Sequence, residues 1–92
     1  MTPIKQVLQE LKTEYQINVV SEYDSIFSIE HPGSDKRVVT VEIHASGKLT
    51  LTPLELLETD DGYEFLQKRT FKHSKNLIKE AVNFLGLSKV GL

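Results

Sequence analysis

The first segment of the chain carries apolar residues three or four positions apart, at Ile4, Val7, Leu8, Leu11 and Tyr15. This spacing places them on one stripe of an α-helix. We expect Thr2 to be the N-cap of this helix and Pro3 its first residue. Because one amphipathic helix is not stable alone in water, the stripe must pack against another element.

A second helical pattern lies near the C-terminus, at Leu77, Ile78, Ala81, Val82 and Leu85. Ser74 is the expected N-cap of this helix. Gly86 favours a left-handed stop, and Leu87 is the apolar residue that commonly follows one. We expect residues 88–92 to form a frayed tail.

The middle of the chain alternates apolar and polar residues, which is typical of half-buried strands. The pattern predicts strands over residues 17–23, 26–30, 37–44 and 48–52. In the third of these, Val39, Val41 and Ile43 share one face, and Val38, Thr40, Glu42 and His44 share the other.

Residues 53–66 permit two structures. Positions 52–55 fit a capping box with Pro53 as the first helical residue, which favours a short helix. Asp61 and Gly62 instead favour a hairpin turn, which would place Glu55 opposite Lys68. In either case Tyr63, Phe65 and Phe71 are expected to be strand residues on a common face.

Together these patterns predict the fold class. We expect one α+β domain over residues 1–92, with an antiparallel meander of three to six strands. The N-terminal and C-terminal helices should both pack on one face of that sheet.

Composition narrows the class of protein. The chain has 92 residues, which is enough for one domain, and 39% of them are hydrophobic, which argues against disorder. It has no cysteine, so disulfides and cysteine zinc sites are excluded. No run of 18 apolar residues, signal peptide or lipidation motif occurs, so we expect a cytoplasmic protein without membrane contact.

The sequence carries no recognisable catalytic motif. His31, His44 and His73 are far apart, without the short spacings typical of metal ligands. We interpret His31 as a loop residue and His44 as a strand-end surface residue. Neither a GxSxG elbow nor a glycine-rich phosphate loop is found. We therefore expect no catalytic residue, metal, cofactor or small-molecule substrate.

The charge distribution is uneven. Residues 1–66 hold 12 acidic and 5 basic side chains, whereas residues 67–92 hold six basic and one acidic. Within this first part, residues 53–66 contain five acidic residues and no basic one. The simplest interpretation is that the acidic and basic stretches neutralise each other across neighbouring elements.

A sharper hypothesis concerns the start of the last helix. Backbone N–H groups and the helix dipole make that end positive, and basic side chains there would complete an anion site. Phosphate contacts of this kind give salt-sensitive binding of nucleic acids. The candidate contact residues are Lys68, Arg69, Lys72, His73, Lys75 and Lys79.

The central strands and the start of the last helix carry a family resemblance. Residues 35–43, followed by Gly47 and Lys48, look like the central strand pair of the double-stranded RNA-binding domain. Residues 72–75 look like the basic helix start of that family. The order of a helix, three antiparallel strands and a helix is also similar. The resemblance implies nucleic-acid binding from the basic start of the last helix.

Two main hypotheses of function follow. The first is a small non-enzymatic interaction module, such as a protein-binding accessory or adaptor protein. It would use an exposed sheet face or an edge strand to bind a protein partner or a second copy. The second is a nucleic-acid-binding domain. An enzyme with an unrecognised site is the third choice.

Overall fold

The computed structural model of the chain describes residues 3–59 and 61–91. Thr2, the expected N-cap of the first helix, lies outside these residues. The elements in chain order are α1 (Pro3–Glu14), β1 (Asn18–Glu22), β2 (Ile26–His31), β3 (Ser34–Ile43), β4 (Leu49–Leu56), β5 (Tyr63–Phe65), β6 (Arg69–Phe71) and α2 (Ser74–Leu85).

The strands form one six-stranded antiparallel sheet in the order β1-β2-β3-β4-β5. Strand β6 pairs with the first half of β4, on the same side as β5. The two helices are N-terminal and C-terminal, and both pack on one face of the sheet. The predicted α+β fold class is therefore confirmed.

The core lies between that face and the helices. Alternate residues of β3 point into it. Val39 and Val41 are fully buried, and they pack with Leu49 and Leu51 from β4. The predicted helical stripes supply the other side of this core, with Leu11 the most deeply buried residue of α1. We call this the covered face of the sheet, and the opposite side its open face.

Of the two structures predicted for residues 53–66, the hairpin is confirmed and the short helix is wrong. The expected register is also wrong, because Glu55 pairs with Glu64 rather than with Lys68. The turn is wider than a two-residue turn at Asp61 and Gly62, since the Leu57 N–H donates to the Gly62 carbonyl oxygen at 2.9 Å. A wider turn leaves a shorter second strand, and β5 ends at Phe65.

Pro53 explains why β5 and β6 are separate strands. Its carbonyl oxygen accepts the Leu66 N–H at 2.8 Å, so this residue faces the β5 side of β4. The N–H and C=O of a strand residue point the same way, and proline has no N–H to donate. The break in pairing at residues 66–68 therefore lies beside the missing donor.

The aromatic residues Tyr63, Phe65 and Phe71 do not share a face, contrary to the prediction. Phe65 pairs with Leu54, whereas Phe71 pairs with Leu49. Leu49 and Leu54 are an odd number of positions apart in one strand, so they face opposite sides. Phe71 packs against the core, and the other two aromatic residues lie on the open face.

Helix α2 begins one residue earlier than predicted. Ser74 is its first residue rather than its N-cap, and His73 occupies the cap position without a side-chain hydrogen bond. At the other end Gly86 has φ 68°, and its N–H donates to the Val82 carbonyl oxygen. Leu87 packs against the core, so the predicted stop is confirmed.

The residues after α2 are tied to the end of α1. The Gln16 N–H donates to the Ser88 carbonyl oxygen, and the Val90 N–H donates to the Glu14 carbonyl oxygen, both at 2.9 Å. The expected frayed tail does not begin at residue 88. Residue 92 lies outside the described part of the chain.

Arg37 joins three elements on the covered face. Its Nε lies 3.4 Å from the Glu55 Oε2 in β4. Its Nη1 donates to the Phe84 carbonyl oxygen at 3.1 Å, and the guanidinium carbon lies 5.1 Å from the centre of the Phe84 ring. Phe84 is in the last turn of α2, where unpaired carbonyl groups favour a cation.

The Gly86 stop gives the first prediction. Gly86→Ala should lower the free energy of unfolding by about 1 kcal/mol, because an L-residue is strained at this left-handed backbone. Urea denaturation measures the loss. Gly33→Ala is the matched control, since its φ is not positive and the added Cβ would lie 3.4 Å from the His31 ring. Equal losses in both variants would contradict the prediction.

Candidate functional site

The structure divides the six basic residues that the sequence groups together. Lys68 directly precedes β6 and Arg69 is its first residue. Lys72 and His73 lie in the turn before α2, and Lys75 and Lys79 lie on α2. All six side chains are exposed. They belong to three segments with different surroundings.

Arg69 is engaged by its own neighbours. Its Nη1 lies 2.8 Å from the Glu80 Oε1 on α2. Its guanidinium carbon also lies 5.9 Å from the centre of the Phe71 ring. Contact with a phosphate would compete with both interactions, so Arg69 is not poised for an external anion.

Lys75 and Lys79 lie opposite two glutamates of α1. They line an open groove of about 640 Å³ between α1 and α2, and Glu10 and Glu14 line the same groove from α1. Carboxylates beside the lysines weaken the positive potential that would attract a polyanion. The sequence pattern missed this, because α1 and α2 are far apart in the chain.

The acidic and basic stretches do not neutralise each other through direct ion pairs. Glu55 of the acidic stretch pairs with Arg37, and Arg69 of the basic stretch pairs with Glu80. Within residues 3–59 and 61–91, no ion pair joins residues 53–66 to residues 67–91.

The three histidines are held by local contacts. His31 is the last residue of β2 rather than a loop residue, and its Nδ1 accepts the Gly33 N–H at 2.9 Å. His44 follows β3, and its Nε2 contacts the Thr50 Oγ1. In the described part of the chain, no three His, Cys, Asp or Glu side chains converge as metal ligands.

The open face carries an apolar patch that sequence analysis did not find. Val38 on β3 pairs with Leu54 on β4, and Leu54 pairs in turn with Phe65 on β5. Directly paired residues share a face and lie within contact distance. Leu56 and Tyr63 form a second pair beside them. We call these five residues the apolar patch.

The patch is most exposed at its β5 side. Val38 is 8% exposed, whereas Phe65 is 73% exposed. Leu54, Leu56 and Tyr63 are half-buried. No described helix lies over these side chains, because both helices pack on the covered face. An exposed aromatic ring beside aliphatic neighbours is a feature typical of an interaction surface.

Tyr63 fixes one border of the patch. Its hydroxyl group donates to the Asp35 carbonyl oxygen at 2.6 Å, so its side chain reaches from β5 to β3. Burial raises the pKa of Tyr63 above its ordinary value of 10.0, and the negative charges of Asp35 and Glu30 raise it further. The charges of two acidic groups therefore reach this end of the patch.

A polar row fixes the opposite border. Ser21, Ser28, Thr40 and Thr52 are paired in succession across β1, β2, β3 and β4. The Ser28 Oγ and the Thr40 Oγ1 are hydrogen-bonded at 2.9 Å. The open face is thus divided between a hydroxyl-rich part and the apolar patch.

The two edges of the sheet are poorly suited to pair with another strand. Strand β1 has an irregularity between Val19 and Ser21. On the other side, β5 and β6 have three residues each and are separated by a break. Bulges and very short strands are devices that protect edges from pairing.

No family model, curated protein or solved structure matches this chain. The sheet has six strands, and not the three implied by the resemblance to the double-stranded RNA-binding domain, because β4 continues to Leu56 and β5 and β6 follow it. Neither described helix is long and apolar enough to cross a membrane. The geometry of the open face is therefore the basis for assigning a function.

The raised pKa of Tyr63 gives a second prediction. Because the pKa is higher in the folded state, folding favours the neutral phenol over the phenolate. Its contribution to stability is complete below pH 10, the ordinary value, and is lost as pH rises through the raised pKa. Tyr63→Phe should therefore lose less stability than the wild type over this alkaline range.

Urea denaturation at a series of pH values measures this difference. Tyr23→Phe is the control, since Tyr23 is 68% exposed and lies outside the apolar patch. The Tyr23 variant should follow the wild-type curve. Parallel curves for the wild type and Tyr63→Phe would contradict the assignment.

Proposed function

We propose that this protein is a non-enzymatic interaction module that binds a protein partner through the apolar patch. The observation that carries the proposal is the position of Phe65, 73% exposed on the open face and paired with Leu54. Aromatic residues with an apolar surround supply a large part of the binding energy at protein interfaces.

The arrangement favours a sheet face over a sheet edge as the binding surface. Both edges have interrupted or very short strands, which limits the pairing of an added strand. The patch instead spans three neighbouring strands, each held in a continuous register. A partner would dock on side chains of β3, β4 and β5.

The same geometry disfavours nucleic acid as the ligand of this patch. Glu30 is paired with Val38, and Asp35 lies near the Tyr63 hydroxyl group, so negative groups border the patch. The basic residues near α2 are partly engaged by Glu80 or face Glu10 and Glu14. A polyanion would therefore meet both lysines and glutamates at α2, and it would be repelled by the carboxylates at the patch.

Replacement of Phe65 tests the proposal. We expect the wild-type protein, immobilised through its N-terminus, to capture a protein from a lysate of the organism that encodes it. Phe65→Ser should reduce that capture about tenfold or more, because it removes the most exposed aromatic side chain of the patch. Quantitative mass spectrometry of the bound fraction measures the change.

Tyr23→Ser is the matched control, because it removes a ring that is 68% exposed and lies outside the patch. Its capture should equal that of the wild type. Both variants should unfold within about 0.5 kcal/mol of the wild type, since exposed side chains contribute little to stability. Equal capture by Phe65→Ser and the wild type would refute the proposal.

A salt titration tests the nucleic-acid alternative directly. Duplex RNA, duplex DNA and single strands should bind no tighter than about micromolar at low salt, since the α2 lysines share their groove with glutamates. Fluorescence anisotropy with labelled oligonucleotides measures this. Tighter binding that disappears in a Lys72→Glu, Lys75→Glu double variant would establish the alternative instead.

A further inference from the structure

We infer that the partner of the apolar patch presents apolar side chains flanked by lysine or arginine. This inference rests on the proposed function and adds the chemistry of the partner. Its basis is the charge around the patch, which is predominantly negative. The register of β2, β3 and β4 and the acidic turn between β4 and β5 place this charge.

Acidic groups border the patch on two sides. On the β2 side, Glu30 is directly paired with Val38, and the Asn18 Nδ2 donates to the Glu30 Oε1 at 2.6 Å. This hydrogen bond directs the Glu30 carboxylate towards β1, and its negative charge stays on the open face one strand away from Val38. At the β3 end, the charge of Asp35 acts on Tyr63.

The turn between the two patch strands is also acidic. Glu58 and Asp61 are both exposed there, between Leu57 and Gly62, which close the turn by a hydrogen bond. Strand alternation places one basic residue, Lys36, on the open face next to Val38. Lys36 stands against the carboxylates of Glu30, Glu58 and Asp61, which leaves an excess of negative charge and favours a basic partner.

The same charges disfavour a second copy of this chain on the patch. A two-fold interface places identical surfaces against each other. Glu30, Asp35 and Glu58 of both copies would then meet around one apolar centre. The basic end of α2 is no better as an occupant, because none of the exposed large hydrophobic residues in the described ranges belongs to it.

Selection of peptides tests the inference without knowledge of the natural partner. The probe is a phage-displayed library of random peptides, selected on the wild-type protein with Phe65→Ser as the counter-selection target. Selected peptides should combine aromatic or aliphatic residues with lysine or arginine. One selected peptide is then synthesised, together with a version in which glutamate replaces each basic residue.

Binding of these peptides is measured by fluorescence anisotropy at a series of salt concentrations. The basic peptide should weaken as salt increases, and its glutamate version should not bind. Glu30→Gln should weaken the basic peptide by up to about fivefold and reduce the salt dependence. This change keeps an oxygen that can accept from Asn18, and Glu10→Gln on α1 is the matched control.

The outcomes separate the inference from the proposed function. Peptides that are apolar but uncharged or acidic, and that still require Phe65, would overturn the basic partner and leave protein binding at the patch in place. A concentration-dependent dimer that is lost in Phe65→Ser would do the same. Peptides that bind the wild type and Phe65→Ser equally would overturn the patch itself.

Discussion

The structure depends on the packing of two short helices against one face of a six-stranded sheet. Each helix has twelve residues, and both supply their apolar stripes to the covered face. Val39 and Val41 of β3 and Leu49 and Leu51 of β4 complete this core. No apolar stripe is left for the open face, so the residues there meet solvent or a partner.

This division also arranges the charges. The hydrogen bond from Arg37 to the Phe84 carbonyl oxygen and the ion pair of Arg69 with Glu80 tie the sheet to α2. The lysines of α2 lie across a groove from the glutamates of α1. Several basic side chains are thus paired with carboxylates or lie opposite them on the covered face. Glu30 lies on the open face, and the charges of Glu30 and Asp35 both act on Tyr63 there. The small net charge of the chain hides this separation.

Features that depend on local sequence could be predicted. The stripe of α1, the alternation of β3 and the stop at Gly86 each follow from residues close in the chain. The fold class follows from them, because two amphipathic helices must share the apolar face of a meander.

Features that depend on pairing between distant residues could not be predicted. The register of β4 with β5 depends on a wide turn, whereas residues 53–66 are compatible in sequence with either a short helix or a narrower hairpin. The apolar patch exists only in that register, since Val38 and Phe65 are brought together by Leu54 between them. In the sequence Val38 belongs to a mostly polar series, and nothing marks it as part of a surface. The cap of α2 is a smaller case, where Ser74 has the right residue type but lies inside the helix.

The contacts of Arg37 and Tyr63 have a consequence for the energetics of recognition. On the covered face, Arg37 links β3 to β4 and to the end of α2. On the open face, the Tyr63 hydroxyl group links β5 back to β3. The strands beneath the patch are therefore fixed relative to one another before any partner arrives. A preorganised surface loses little conformational entropy on association, so more of the contact energy appears as affinity. A partner of the kind proposed would have to conform to a surface that is already formed.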